Sequence, residues 1–205
     1  MLLVFGVRYL AAVVADGLFH CPSCGGDRRY QLRRPRAWIH VVRLPVVPLR
    51  DGADYVECDT CHARHEPAVL EVPTSARLGE LLSRGVRTSA AYVLTGLVGL
   101  VAADLSVAAG VLQTSLGPDY TPELLAADLA AHREGSDFTV LEQLAPQLTP
   151  LGRESLLRGL ADLVLAVEGG GEPDWLRIGH VAAALRVPAA RLRAIVEDAR
   201  SRARE

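Results

Sequence analysis

Two cysteine pairs, Cys21-Pro22-Ser23-Cys24 and Cys58-Asp59-Thr60-Cys61, hold all four cysteines of this 205-residue chain and constrain its fold more than any other feature. Two Cys-x-x-Cys turns brought together from separated places supply four thiolates in a tetrahedron, the arrangement that suits a d10 ion with no geometric preference of its own. Such a ligand set is closed and leaves no coordination position for water or substrate, so it predicts a structural metal ion, one per chain. Zinc is the leading assignment, and a rubredoxin-like iron site stays open because thiolate tetrahedra accept both metals. A disulfide framework is the competing use of four cysteines and requires an oxidising compartment. Gly25 and Gly26 after the first pair supply any positive φ that a tight turn needs, and His62 follows the second pair, where histidine tolerates a left-handed backbone better than most residues. His20, His62 and His65 flank the pairs, but four sulfurs already fill the site, so they read as supporting or surface groups.

Residues 25 to 57, between the pairs, read as strands and turns. Ala37 to Val47 is rich in β-branched and aromatic side chains, Pro45 and Pro48 suit a strand edge or end, and Asp51-Gly52 marks a turn leading to Tyr55-Val56-Glu57 and Cys58. A small three-stranded ribbon pinned by one ion is expected, with Met1 to Arg8 as a buried strand of it. That leading segment lacks a positively charged start and its apolar run is broken by Arg8, which argues against an export signal and for a cytoplasmic protein.

From Ala76 onward apolar residues recur at helical spacing. Leu156, Leu160, Val164 and Val167 share one side of a helix whose other side carries Glu154, Arg158 and Asp162, and the pattern repeats at Ile178, Val181, Ala182 and Leu185 and at Leu192, Ile195, Val196 and Ala199. Thr121-Pro122, Thr149-Pro150 and Val187-Pro188 place proline at helix starts, and Gly117-Pro118-Asp119 and Gly169-Gly170-Gly171 punctuate the helices. The expected fold class is therefore α+β: a ribbon over residues 1–72, then an all-α antiparallel bundle of five or six helices over residues 77–205. Thr88 to Pro118 is apolar apart from Asp104, but its uncharged run falls short of the roughly 20 residues that span hydrocarbon, and Asp104 at its middle would cost about 3 kcal/mol there. A membrane partner is not expected.

Charge is unevenly spread. All 22 basic residues are arginine. Arg28, Arg29, Arg33, Arg34 and Arg36 interleave with Tyr30 and Trp38, which makes nucleic-acid binding by a basic hairpin the alternative functional reading. Strand alternation divides those arginines between two faces, and their charge also offsets that of a tetrathiolate site. Enzymatic signatures are weak: His62-Ala63-Arg64-His65-Glu66 is not a His-Glu-x-x-His motif, Gly169-Gly170-Gly171 lacks the lysine and hydroxyl of a phosphate loop, and His132 and His180 stand alone in sequence. A non-enzymatic protein with no small-molecule substrate is expected.

Phe19-His20-Cys21-Pro22-Ser23-Cys24-Gly25, then Arg36-Ala37-Trp38-Ile39, Leu44-Pro45-Val46-Val47-Pro48-Leu49 and Tyr55-Val56-Glu57-Cys58 resemble a bacterial zinc-ribbon family. The helix phrasing that follows is similar to the TerB-like, tellurite-resistance-associated domain, and the pairing resembles one found in actinobacterial proteins. The resemblance implies a protein-interaction or cation-responsive module in a stress or metal-resistance response, with an unidentified protein partner. TerB-like domains often carry an acidic turn proposed to hold a cation. Here the matching stretch, Val167 to Trp175, offers Glu168, Glu172 and Asp174 as a candidate weak cation site, but glutamate replaces the aspartate and Trp175 stands where a later glutamate is expected. A solvated loop feeding a helix N-terminus, which favours carboxylates in any case, explains the same residues.

Overall fold

A computed structural model describes residues 5–41, 44–97, 100–133, 138–168 and 175–203. The chain is α+β and divides into two compact units, Met1–Arg77 and Leu78–Glu205.

The first unit is one antiparallel sheet of five strands among the described residues: β1 (Phe5–Cys21), β2 (Gly26–Val41), β3 (Leu44–Asp51), β4 (Tyr55–Cys58) and β5 (Arg64–His65). This corrects the expectation of three strands. The β-branched and aromatic residues do not form short separate strands; β1 and β2 run as one hairpin of 17 and 16 residues, paired from Phe5–Val41 to Cys21–Gly26. β2 is central. Its inner half pairs with β4, from Tyr30–Cys58 to Arg33–Tyr55, and its outer half with β3, from Arg36–Asp51 to Val41–Leu44. The prolines at 45 and 48 stand on β3, which pairs on one side alone, where a missing N–H breaks no ladder. Val14 bulges from β1 between Val13 and Ala15 and so exchanges the faces of the two halves of the strand.

The core cluster of this unit is small and lies on the inner half, with Ala37 and His40 the buried residues of the outer half of β2. Phe19, Cys21, Val56 and Cys58 are buried, with Tyr30, Leu32, Val69 and Leu70 packed around them; the last two come from a short 3-10 turn at Pro67–Glu71. Phe19 meets the Tyr30 ring edge-on at 5.5 Å. Of Met1 to Arg8, expected as a buried strand, residues 1–4 lie outside the described residues and Gly6, Val7 and Arg8 are exposed, as are Tyr9, Leu10 and Val13 beyond them.

The described helices are α1 (Ser75–Leu94), α2 (Ala102–Leu116), α3 (Pro122–Arg133), α4 (Thr139–Leu144), α5 (Pro150–Glu168), α6 (Trp175–Ala184) and α7 (Ala189–Arg202), one or two more than the periodicity predicts. The extra element is the short α4, which a 3-10 turn at Ala145–Gln147 separates from α5. Proline and a hydroxyl set two of the starts as their chemistry dictates: the Leu124 N–H donates to Thr121 Oγ1 at 3.4 Å and the Gly152 N–H to Thr149 Oγ1 at 3.1 Å. Asp104, the one charge in the apolar stretch from Thr88 to Pro118, accepts the Val101 N–H at 2.8 Å and so anchors the start of α2. No helix among the described residues is long and apolar enough to cross a membrane.

α5 packs against α2, α6 and α7. Contact from several sides widens its buried stripe, so Leu157, Ala161 and Leu163 join Leu160 and Val164 in the interior, while Leu156 and Val167 are only half-buried. On its polar side Glu154 receives both Arg158 and Arg191, and Asp162 receives Arg202, linking α5 to α7. These exposed pairs each contribute at most about 1 kcal/mol, so stability rests on the apolar interior. Leu157→Ala should accordingly lower the unfolding free energy of the helical unit by roughly 2–5 kcal/mol, measured by denaturant unfolding followed through the helical dichroism signal.

Candidate metal centre

The turns carrying the two cysteine pairs are built alike. The Gly25 N–H donates to the Cys21 carbonyl and the His62 N–H to the Cys58 carbonyl, each at 2.9 Å, so each pair sits in one tight turn closed four residues on. Gly25 has φ of 67° and His62 of 57°, the left-handed conformation that glycine adopts freely and histidine more readily than most. The first turn is the tip of the β1–β2 hairpin and the second joins β4 to β5. Because β4 pairs with β2 just beside that tip, with the Asp59 N–H donating to the Arg29 carbonyl at 3.0 Å, the two turns face one another.

Cys21, Cys24, Cys58 and Cys61 bring their sulfurs within 4.8 Å of one another. Cys21 Sγ lies 3.8 Å from Cys61 Sγ, and Cys24 Sγ lies 4.0 Å from Cys58 Sγ. A tetrahedron with metal–sulfur bonds of about 2.3 Å has edges of about 3.8 Å, so the group fits a single tetrahedrally coordinated ion. It does not fit disulfides, whose sulfurs stand about 2.05 Å apart; all four cysteines are free. Cys21 and Cys58 are buried, Cys24 is half-buried and Cys61 is exposed, so the site opens to solvent on the Cys61 side.

Crowding of the thiols moves Cys24 and Cys58 in opposite directions. Hydrogen bonding with Cys61, followed by burial, pushes the Cys24 thiol up to about 12. Burial also pushes the Cys58 thiol up, but the backbone N–H groups of Cys61 and Thr60 and the neighbouring thiols outweigh it and bring it down to about 7. Cys58 is thus converted to the ligating thiolate more readily than Cys24 near neutral pH.

Supporting groups surround the sulfurs. His65 on β5 places Nε2 3.8 Å from Cys21 Sγ, within reach of a hydrogen bond to sulfur, and tilts its ring against Phe19 at 6.0 Å. His20 Nδ1 is 3.3 Å from Asp27, whose carboxylate also accepts the Ser75 N–H at 2.8 Å at the first residue of α1. Spacing alone ranked the three flanking histidines together; only the pairing of β4 with β5, which sets Val56 against His65, singles out His65.

The remaining sequence candidates fall elsewhere. Arg34 makes a two-point pair with Asp54 at 2.7 and 2.8 Å, Arg36 pairs with Asp51 at 2.5 and 3.2 Å, and Arg33 contacts Gln31 and Glu57. Arg28 and Arg29 are exposed beside the first cysteine turn. Glu172 and Asp174 lie outside the described residues, as does the side chain of Glu168. His132 and His180, isolated in sequence, both meet Tyr92: its ring stands edge-on to His132 at 5.6 Å, and its hydroxyl is hydrogen-bonded with His180 Nδ1 at 2.6 Å. Arg177 stacks on the same tyrosine ring, and burial followed by this cation holds His132 below the usual imidazole range. Only the fold could reveal that grouping, since its members come from α1, α3 and α6.

Two outcomes follow from this geometry. His65→Ala should leave the metal stoichiometry unchanged and weaken affinity ~10-fold in competition with a chromophoric chelator, because a group that orients a ligand is lost while the ligands remain. The Ser75 N–H, partly opposed by burial and assisted by His20, holds the Asp27 carboxyl below its ordinary value. Its contribution to stability is therefore present above the ordinary carboxylate range and disappears as pH falls through the depressed folded value, below about pH 4. Asp27→Asn should flatten that part of the acid dependence, read from unfolding midpoints across the range.

No protein-family model matches this chain, and comparison with curated proteins and with solved structures finds no match.

Proposed function

We propose that this is a non-enzymatic protein in which one zinc ion, held by Cys21, Cys24, Cys58 and Cys61, organises a zinc-ribbon-like sheet unit, and in which the helical unit serves as a protein-interaction module. The observation that carries the reading is the closed set of four sulfurs within 4.8 Å of one another. Four protein ligands saturate a tetrahedral ion, so the metal has no open position at which to polarise a substrate or activate water, and its chemistry is structural. The small core around Phe19 and Val56 supports the same reading, since a unit this poor in buried apolar side chains needs a staple to order its strands.

Assignment of the helical unit as TerB-like, and of the protein to a tellurite-type metal-resistance or stress response, rests on the phrasing of its helices and their proline-marked starts. A cytoplasmic setting agrees with four free thiols. Nucleic-acid binding through Arg28, Arg29, Arg33, Arg34 and Arg36 receives less support, because Arg34 and Arg36 already spend their guanidinium groups on Asp54 and Asp51. A phosphate would have to displace those carboxylates.

Elemental analysis, followed by chelation under circular dichroism, tests this reading. One zinc per chain is expected, with chelation or Cys58→Ala removing the strand signal and leaving the helical signal in place. Iron with a visible charge-transfer band would replace this reading with an electron carrier, and salt-sensitive retardation of DNA or RNA lost on neutralising Arg34 and Arg36 would replace it with nucleic-acid binding.

A further inference from the structure

The outer half of the sheet is two-faced, and the register shows which residues share a face. Directly paired residues point to the same side, so Val7, Tyr9 and Val13 of β1 fall with Ile39 of β2 and with Leu44 and Val47 of β3. Among the directly paired residues of this face none is charged until Arg33, at its inner end, while Leu49 and Arg50 stand together in the register shift opposite Ala37. The opposite face holds Arg8, Arg34 and Arg36, the latter two in ion pairs with Asp54 and Asp51. An antiparallel sheet with one charged face and one apolar face ordinarily packs the apolar one against a second layer. Here it has no such cover among the described residues: Val7, Tyr9, Val13, Leu44 and Val47 are between 46% and 69% exposed.

Nine β1 residues at ~3.3 Å each, across three strands ~4.8 Å apart, give a flat footprint of roughly 400 Å2. An apolar patch of that size matches the largest on a typical soluble monomer, and such patches are often functional. We propose that this face is the dimerisation surface of the protein, and that two copies close face to face about a two-fold axis into a β-sandwich. The scarcity of charge decides the occupant. A face that is apolar at its directly paired positions and charged only toward its margins is complemented by another flat, apolar strand face, and the outer sheet of a second copy is that surface, related by the symmetry that makes isologous contacts self-complementary. Edge-to-edge addition along β1 would leave the same side chains in water, so it does not answer the exposure. Two footprints amount to roughly 800 Å2 counted flat, and side-chain relief brings the area toward the ~1,200 Å2 low end of specific interfaces. The dimer should therefore dissociate on dilution.

Sedimentation velocity of the metal-loaded full chain, from low to high micromolar concentration, tests the proposal. A concentration-dependent dimer is expected. Tyr9→Glu should weaken it by at least ~10-fold while metal content and dichroism stay unchanged. Leu10→Glu, also exposed but paired with Arg36 on the charged face, should leave it intact. A monomer at every concentration overturns the proposal, as does a Leu10→Glu variant that dissociates as readily as Tyr9→Glu. Flotation of a monomeric chain with phosphatidylcholine vesicles, lost in Tyr9→Glu, would also overturn it by giving the face to a lipid surface.

Discussion

Four sulfurs brought within 4.8 Å of one another are, in the proposed reading, the constraint that holds together a sheet with little else to hold it. Among the described residues, the large buried apolar side chains of the first unit amount to Phe19 and Val56, beside the small Ala37, with Tyr30, Leu32, Val69 and Leu70 partly covered. Fully burying a side chain of this kind stabilises by roughly 1.5–3 kcal/mol, whereas ordering a backbone residue costs about 1–2 kcal/mol, so two full burials cannot order strands of this length. A bound ion changes the balance because its ligands come from both ends of the folding problem: the tip of the β1–β2 hairpin and the turn after β4. Coordination would then fix the pairing of β2 with β4, the pairing that places Val56 against Leu32 and His65 beside Cys21.

The helical unit follows the opposite logic. Its interior is a continuous set of aliphatic side chains around α5, and its starts are set by proline and hydroxyl chemistry, so it carries its own stability. Loss of the ion and loss of the helical core are therefore separate failures, one at each unit.

Legibility in the sequence tracks how local each interaction is. The cysteine turns could be read because a Cys-x-x-Cys turn is complete within a few residues, even to the left-handed conformation at Gly25 and His62. The starts of α3 and α5 could be read for the same reason, whereas the inward turn of Leu157 in place of Leu156 depends on which helices surround α5. The exposed outer sheet was the hardest part to foresee. Val7, Tyr9, Val13 and Val47 alternate as core residues do, and nothing in a one-dimensional pattern distinguishes a face buried within the chain from one that the chain leaves open. Likewise the basic appearance of Arg28 to Arg36 is a property of the sequence that Asp51, Asp54 and Glu57, remote in the chain, partly offset in space by pairing with Arg36, Arg34 and Arg33.

The coordination shell itself gives the most direct test of this account. X-ray absorption at the zinc K-edge of the purified full-length chain should show four sulfur neighbours at about 2.3 Å and no nitrogen or oxygen in the first shell. A shell containing nitrogen, which would make His65 or another histidine a ligand, or one containing oxygen from an open coordination position, would contradict the closed four-thiolate clamp on which the structural reading depends.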